Sequence, residues 1–140
     1  MTPDNSSSRL HPVFFYGLYM DPDILQSKNV APRDPRHAVI RDYELRIGKQ
    51  ATLLRAPGKR AYGIVYSLTH GELFKLYEGA GLTDYRAEAL LADIGDNESI
   101  EKIAVLCCNL LSPPAEDKCD EAYITKLKAV MKRLRVPIVF

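Results

Sequence analysis

The chain has 140 residues, of which 26% are charged and 46% hydrophobic, and its formal net charge is +1. That length suits one domain whose core needs no disulfide or metal staple, and the near-neutral balance gives no electrostatic ground for nucleic acid or an anionic membrane as partner. The three cysteines, Cys107, Cys108 and Cys119, are odd in number with two adjacent in an apolar run, so they read as reduced, buried thiols rather than a disulfide framework.

Residues 1–12 are polar and include Ser6-Ser7-Ser8, so they read as a disordered arm, with residues 13–140 as a single domain. The arm has no apolar signal-peptide core, and no stretch approaches the ~18 apolar residues of a membrane span. The expectation is a soluble, cytoplasmic protein. Val13-Phe14-Phe15-Tyr16 is a buried strand entering a turn at Gly17. Asp21 caps a short helix that has Pro22 in its first position and ends near Ser27. Pro32 to Pro35 reads as a loop, residues 37–40 and 43–47 as strand, 51–54 as a further strand, and Ala56-Pro57-Gly58-Lys59 as a turn. Tyr62 to Tyr66 is a strand in which Gly63 marks a bulge or a close backbone approach. Thr69-His70-Gly71-Glu72 has the spacing of a capping box, opening a helix that stops at Gly79. Tyr85 to Ile94 and Ile103 to Leu111 are strands, with a Gly95-Asp96-Asn97 turn after the first and Pro113-Pro114 after the second. Tyr123, Leu127, Val130, Met131 and Leu134 recur at helical spacing up to the break at Pro137, the apolar stripe of a helix packed on a sheet. Strands and long helices do not alternate regularly, which argues against a doubly wound parallel sheet. The pattern points to an α+β fold, a mixed sheet forming a partly open barrel with short helices.

Two segments are candidates for chemistry. The strand–Gly17–helix turn presents successive backbone N–H groups, a seat for an anion such as a carboxylate, although the same pattern also serves as a plain turn. Glu78 falls at the end of the second helix, beside its unpaired carbonyls. There it is either a solvated side chain or a carboxyl whose pKa is raised by the helix dipole, suited to moving a proton. Glu88 would lie on the opposite face of its strand from Tyr85 and ranks below Glu78. His11, His37 and His70 show no metal-ligand spacing. The arginines from Arg33 to Arg60 are interleaved with acids, as on a solvated surface.

Together these segments resemble the γ-glutamylcyclotransferase-like (AIG2-like) family. The resemblance is carried by Val13-Phe14-Phe15-Tyr16-Gly17, Ala51-Thr52-Leu53-Leu54, Pro57-Gly58, Tyr62-Gly63-Ile64-Val65-Tyr66, Glu78-Gly79 and Tyr85-Arg86. It spans nearly the whole domain. It implies cyclisation of a γ-glutamyl group to 5-oxoproline with no cofactor and no metal. By the same resemblance Glu78 is the general acid/base, and Tyr16, Gly17, Leu18, Tyr19 and Tyr85 bind the substrate, in part through main-chain N–H groups of Gly17, Leu18 and Tyr19. The chain departs from the family at Leu18, usually Ser or Thr, and at Tyr19, usually Asn or Leu. A non-catalytic binding or regulatory module on the same fold, or a different lyase or transferase reaction in the same pocket, stays open at this point. The amine half of the substrate and the oligomeric state are not written in the sequence.

Overall fold

The computed structural model describes residues 6–48, 50–79, 81–82, 84–95, 99–113 and 120–140. Cys119, Thr83, Pro114, the Asp96-Asn97 portion of the expected turn and the first five residues of the arm lie outside these. The elements in chain order are β1 (His11–Phe15), a single 3-10 turn (Leu18–Met20), α1 (Pro22–Ser27), β2 (Arg33–Ile47), β3 (Ala51–Leu68), α2 (His70–Leu76), β4 (Tyr85–Gly95), β5 (Ile100–Leu110) and α3 (Glu121–Leu134). The five strands form a ring in the order β1-β3-β2-β4-β5.

The α+β class, the mixed sheet and the short helices are as the sequence indicates. The barrel is closed rather than partly open, and it closes at thin seams. β1 meets β5 in parallel through Val13 and Leu106, and β2 meets β4 through Ala38–Ile94 and Val39–Asp93. Asp93 reinforces the second seam by accepting from Arg41 of β2 at 2.7 Å and Lys102 of β5 at 2.8 Å.

Among the boundaries that differ from the sequence reading, three have a backbone reason. Strand β1 begins at His11, opposite Leu68, so His11 and Pro12 belong to the sheet and not to the arm. Pro32 to Pro35 is not wholly loop: β2 starts at Arg33, and Pro35 sits in a register shift between Arg33 and Arg36, where a missing N–H breaks no ladder bond. The segment 56–59 is not a turn between two strands but an excursion within β3. The register slips between Arg41 and Tyr43 of β2. Gly58 takes φ +83° there, and its N–H is received by the Asp42 carboxylate at 3.0 Å.

The core fills the ring and the gap between ring and helices. Val13, Phe14 and Phe15 are all buried, so β1 is covered on both faces. Leu127, Val130 and Met131 of α3 close over the sheet as their spacing requires. Cys107 and Cys108 are free and buried, and burial pushes the Cys108 thiol up to about 12.

Helix α1 starts as read, with the Asp21 carboxylate accepting from the Asp23 N–H at 2.9 Å. In α2 the capping box is complete: Thr69 Oγ1 accepts the Glu72 N–H, and Glu72 accepts the Thr69 N–H. Glu72 does more than cap. Its buried carboxylate also accepts from the Ala31 N–H at 2.9 Å and Arg33 at 2.7 Å, tying α2 to the start of β2. Burial favours its neutral form, but the bonds from Arg33, Thr69 and Ala31 outweigh that and hold its pKa at about 2, against an ordinary 4.5. A depressed carboxyl contributes stability that is complete above the unfolded value and is lost as pH falls through the folded one. Wild type should therefore lose about 2–3 kcal/mol from this group between pH 4.5 and 2, discounted for the partly exposed Arg33. Urea unfolding midpoints measured across that range for wild type and Glu72→Gln test it: the acid-induced loss should be smaller in the variant, and parallel profiles would refute the assignment.

Candidate ligand site at the Gly17 turn

Gly17 ends β1 and opens the 3-10 turn, whose Met20 N–H returns to the Gly17 carbonyl at 3.0 Å. Beside this turn lies a cavity of about 220 Å³, lined by Phe15, Tyr16, Gly17, Leu18, Tyr19, Gln50, Ala51, Tyr77, Leu82, Tyr85 and Tyr123. It is smaller than the ~300–1,000 Å³ of pockets for drug-sized ligands. The five sequence-assigned binding residues, Tyr16, Gly17, Leu18, Tyr19 and Tyr85, all reach its wall.

The walls are aromatic and braced. Tyr77 meets Tyr19 edge-on at 5.6 Å between centroids and Tyr85 at 5.1 Å. The Tyr19 hydroxyl donates to the Leu76 carbonyl, the Tyr85 hydroxyl to the Ala51 carbonyl and the Tyr16 hydroxyl to the Cys108 carbonyl, each at 2.6 Å. These three phenols therefore hold loop and strand ends together across the mouth of the ring. Burial raises all three phenol pKa values, so they stay neutral at ordinary pH.

Glu78 is placed differently. Helix α2 ends at Leu76, two residues earlier than Glu78, so this carboxyl is not on the helix terminus where the sequence set it. The chain leaves the helix through Tyr77, with the Gly79 N–H returning to the Phe74 carbonyl at 2.8 Å. Gly79 is not the left-handed residue of this turn; Gly81, at φ +81°, is. Glu78 is exposed and lines a neighbouring groove with His70, Gly71, Leu73, Phe74, Ala87 and Cys108. Among the described residues no carboxylate, lysine or arginine lines the Gly17 cavity. Groove and cavity share Tyr77 and Tyr85, so Glu78 stands on the far side of that aromatic edge.

Sequence reasoning missed Gln50, Tyr77, Leu82 and, above all, Tyr123. The Tyr123 hydroxyl receives the Leu18 N–H at 3.4 Å, and a Cβ on Gly17 would stand 2.6 Å from the same oxygen. The lack of a side chain at Gly17 is thus what lets α3 bring this phenol to the turn. In the sequence Tyr123 is one member of an apolar stripe, and nothing local distinguishes it.

The fold recurs in solved structures. A γ-glutamyl cyclotransferase superposes with a TM-score of 0.68 at 16% identity, over 89% of this chain and 80% of that one. The chain has the γ-glutamylcyclotransferase-like fold. YkqA from Bacillus subtilis matches it with a TM-score of 0.71 at 23% identity over 91% of this chain. This chain spans 50% of the length of YkqA. At5g39720.1 from Arabidopsis thaliana shares the fold with a TM-score of 0.65 at 20% identity, over 94% of this chain and 88% of that one. No family model and no curated protein matches the sequence. At these identities the likeness is one of fold. Among the described residues no helix is long and apolar enough to cross a membrane.

Proposed function

We propose that this chain binds a γ-glutamyl-type small molecule at the Gly17 turn and cyclises it to 5-oxoproline, with Glu78 as general acid/base. The observation that carries the reading is the cavity itself. On a γ-glutamylcyclotransferase-like fold, the turn after β1 and Tyr85 from β4 converge on one small space.

In this reaction the ligand's α-amine attacks its own γ-carbonyl, a ring C–N bond forms, and the bond to the departing amine breaks. One proton leaves the attacking nitrogen and one arrives on the departing nitrogen, so a single carboxylate serves both steps. Attack within one molecule carries a high effective molarity when the chain is held folded. The enzyme then needs an anchor, a dry wall and a base. The turn is the anchor, the tyrosines are the wall, and Glu78 is the base once its carboxylate comes round the Tyr77–Tyr85 edge to the ligand. No cofactor enters the scheme. The buried thiols of Cys107 and Cys108 suit a reducing, cytoplasmic setting.

A second reading, a binding or regulatory module, is favoured by one observation: Glu78 is exposed and outside the cavity lining. Release of 5-oxoproline from glutathione, γ-glutamyl amino acids and γ-glutamyl amines separates the two. Release from at least one class is expected. A folded protein that releases none while its melting temperature rises with a γ-glutamyl compound supports the module instead.

A further inference from the structure

The tyrosine hydroxyls around the cavity are not equivalent. Those of Tyr16, Tyr19 and Tyr85 spend their protons on backbone carbonyls. The Tyr123 hydroxyl oxygen instead accepts a hydrogen bond, from the Leu18 N–H. Among the described residues its own proton has no acceptor. A phenol carries one O–H donor besides its lone pairs, so an oxygen that receives at the turn still has a proton to give into the cavity.

Its position follows from how α3 is capped and docked. The Asp120 side chain accepts the Tyr123 N–H at 3.1 Å, capping the helix at its start. Near the other end Arg133 pairs with Asp21, the residue that follows the 3-10 turn. Leu127 and Met131 are buried between them. The helix therefore cannot slide relative to the turn without breaking an ion pair and a packed stripe. Burial raises the Tyr123 pKa, so the phenol keeps its proton at neutral pH.

We propose that Tyr123 is a ligand-contacting residue whose hydroxyl donates to a carboxylate oxygen of the bound molecule, forming with the backbone of the Gly17 turn an anion seat without a cationic side chain. The inference deepens the reading of the site given above and rests on it. Residue 18 is leucine and offers no hydroxyl to the turn. With no Lys or Arg among the described lining residues, neutral donors are what a carboxylate meets there. Hydrogen bonds to a charged group are among the stronger ones, and loss of one is worth about tenfold or more in affinity.

The test uses two lactams that differ by one carboxylate, 5-oxoproline and 2-pyrrolidinone, with wild type and Tyr123→Phe, by calorimetry. Wild type should bind 5-oxoproline at least about tenfold more tightly than 2-pyrrolidinone. Tyr123→Phe, with an unchanged melting temperature, should lose about tenfold in 5-oxoproline affinity and leave 2-pyrrolidinone unaffected. Equal or tighter binding of 5-oxoproline by the variant overturns the assignment, because the hydroxyl would then only be occupying the Leu18 amide. Failure of wild type to bind 5-oxoproline, or to prefer it, overturns it as well. Turnover separates this inference from the functional reading. If wild type releases 5-oxoproline from a γ-glutamyl compound and Tyr123→Phe has the same KM, cyclisation stands and Tyr123 is excluded. If Tyr123-dependent lactam binding occurs without turnover of any γ-glutamyl compound, the seat stands and cyclisation falls.

Discussion

Glu78→Gln is expected to lower 5-oxoproline release by about 10²–10⁴-fold while leaving the melting temperature within a degree or so of wild type. The amide keeps the shape of the side chain and removes its basicity. Because Glu78 is exposed, the fold has little to lose. A fall of that size corresponds to roughly 3–5 kcal/mol of barrier, the contribution of one positioned base. Substrate KM should change little if the turn and the tyrosines do the binding. A variant that turns over at the wild-type rate would remove Glu78 from the mechanism and leave the Gly17 cavity as a binding site alone.

The largest expected effect on stability is at Gly63. A Cβ there would stand 2.2 Å from the Phe15 carbonyl oxygen and 2.6 Å from Phe14 Cζ. The first obstacle is backbone of the neighbouring strand, which cannot rotate away, and the second is a fully buried ring. Gly63→Ala is expected to cost about 3 kcal/mol or more, a drop in melting temperature of about 10 °C. Gly58→Ala is the control, since nothing lies within 4 Å of its Cβ and only its φ of +83° resists the side chain. It should lose about 1 kcal/mol. Denaturant unfolding of the two variants gives the comparison, and similar losses at both positions would show that β1 can move away from β3.

What the sequence made legible were the features set by neighbours in the chain. Asp21-Pro22 and Thr69-x-x-Glu72 mark helix starts because a cap is a bond within four residues. The α3 stripe is legible because burial of one face imposes its period. Gly63 announced a close backbone approach for the same reason that it now excludes a methyl group. The long strands were harder to read. Pro35 and Pro57-Gly58 look like chain breaks, but each falls in a register shift where the ladder has no bond to lose. Only the partner strand shows that. The site divides in the same way. The Tyr16–Tyr19 turn and Tyr85, named through the family resemblance, line the cavity. That Tyr123 reaches the turn, and that Glu78 lies across an aromatic edge from it, depends on where α3 and the end of α2 dock, which no local pattern encodes.

The thin seam of the ring bears on the order in which the molecule assembles. β2 and β3 are joined by a connection of a few residues and pair along most of their length, so their contacts are local and form early at small entropic cost. The Val13–Leu106 pair joins positions roughly 90 residues apart, and closing a loop of that size is entropically dearer than closing a hairpin by about 3 kcal/mol if nothing else is yet formed. The hairpins β2–β3 and β4–β5 are therefore expected to form before the Val13–Leu106 contact that joins β1 to β5. The Gly17 turn is the direct continuation of β1. The cavity is lined from that turn and from Tyr85 of β4, so it is expected to be complete only once the ring has closed.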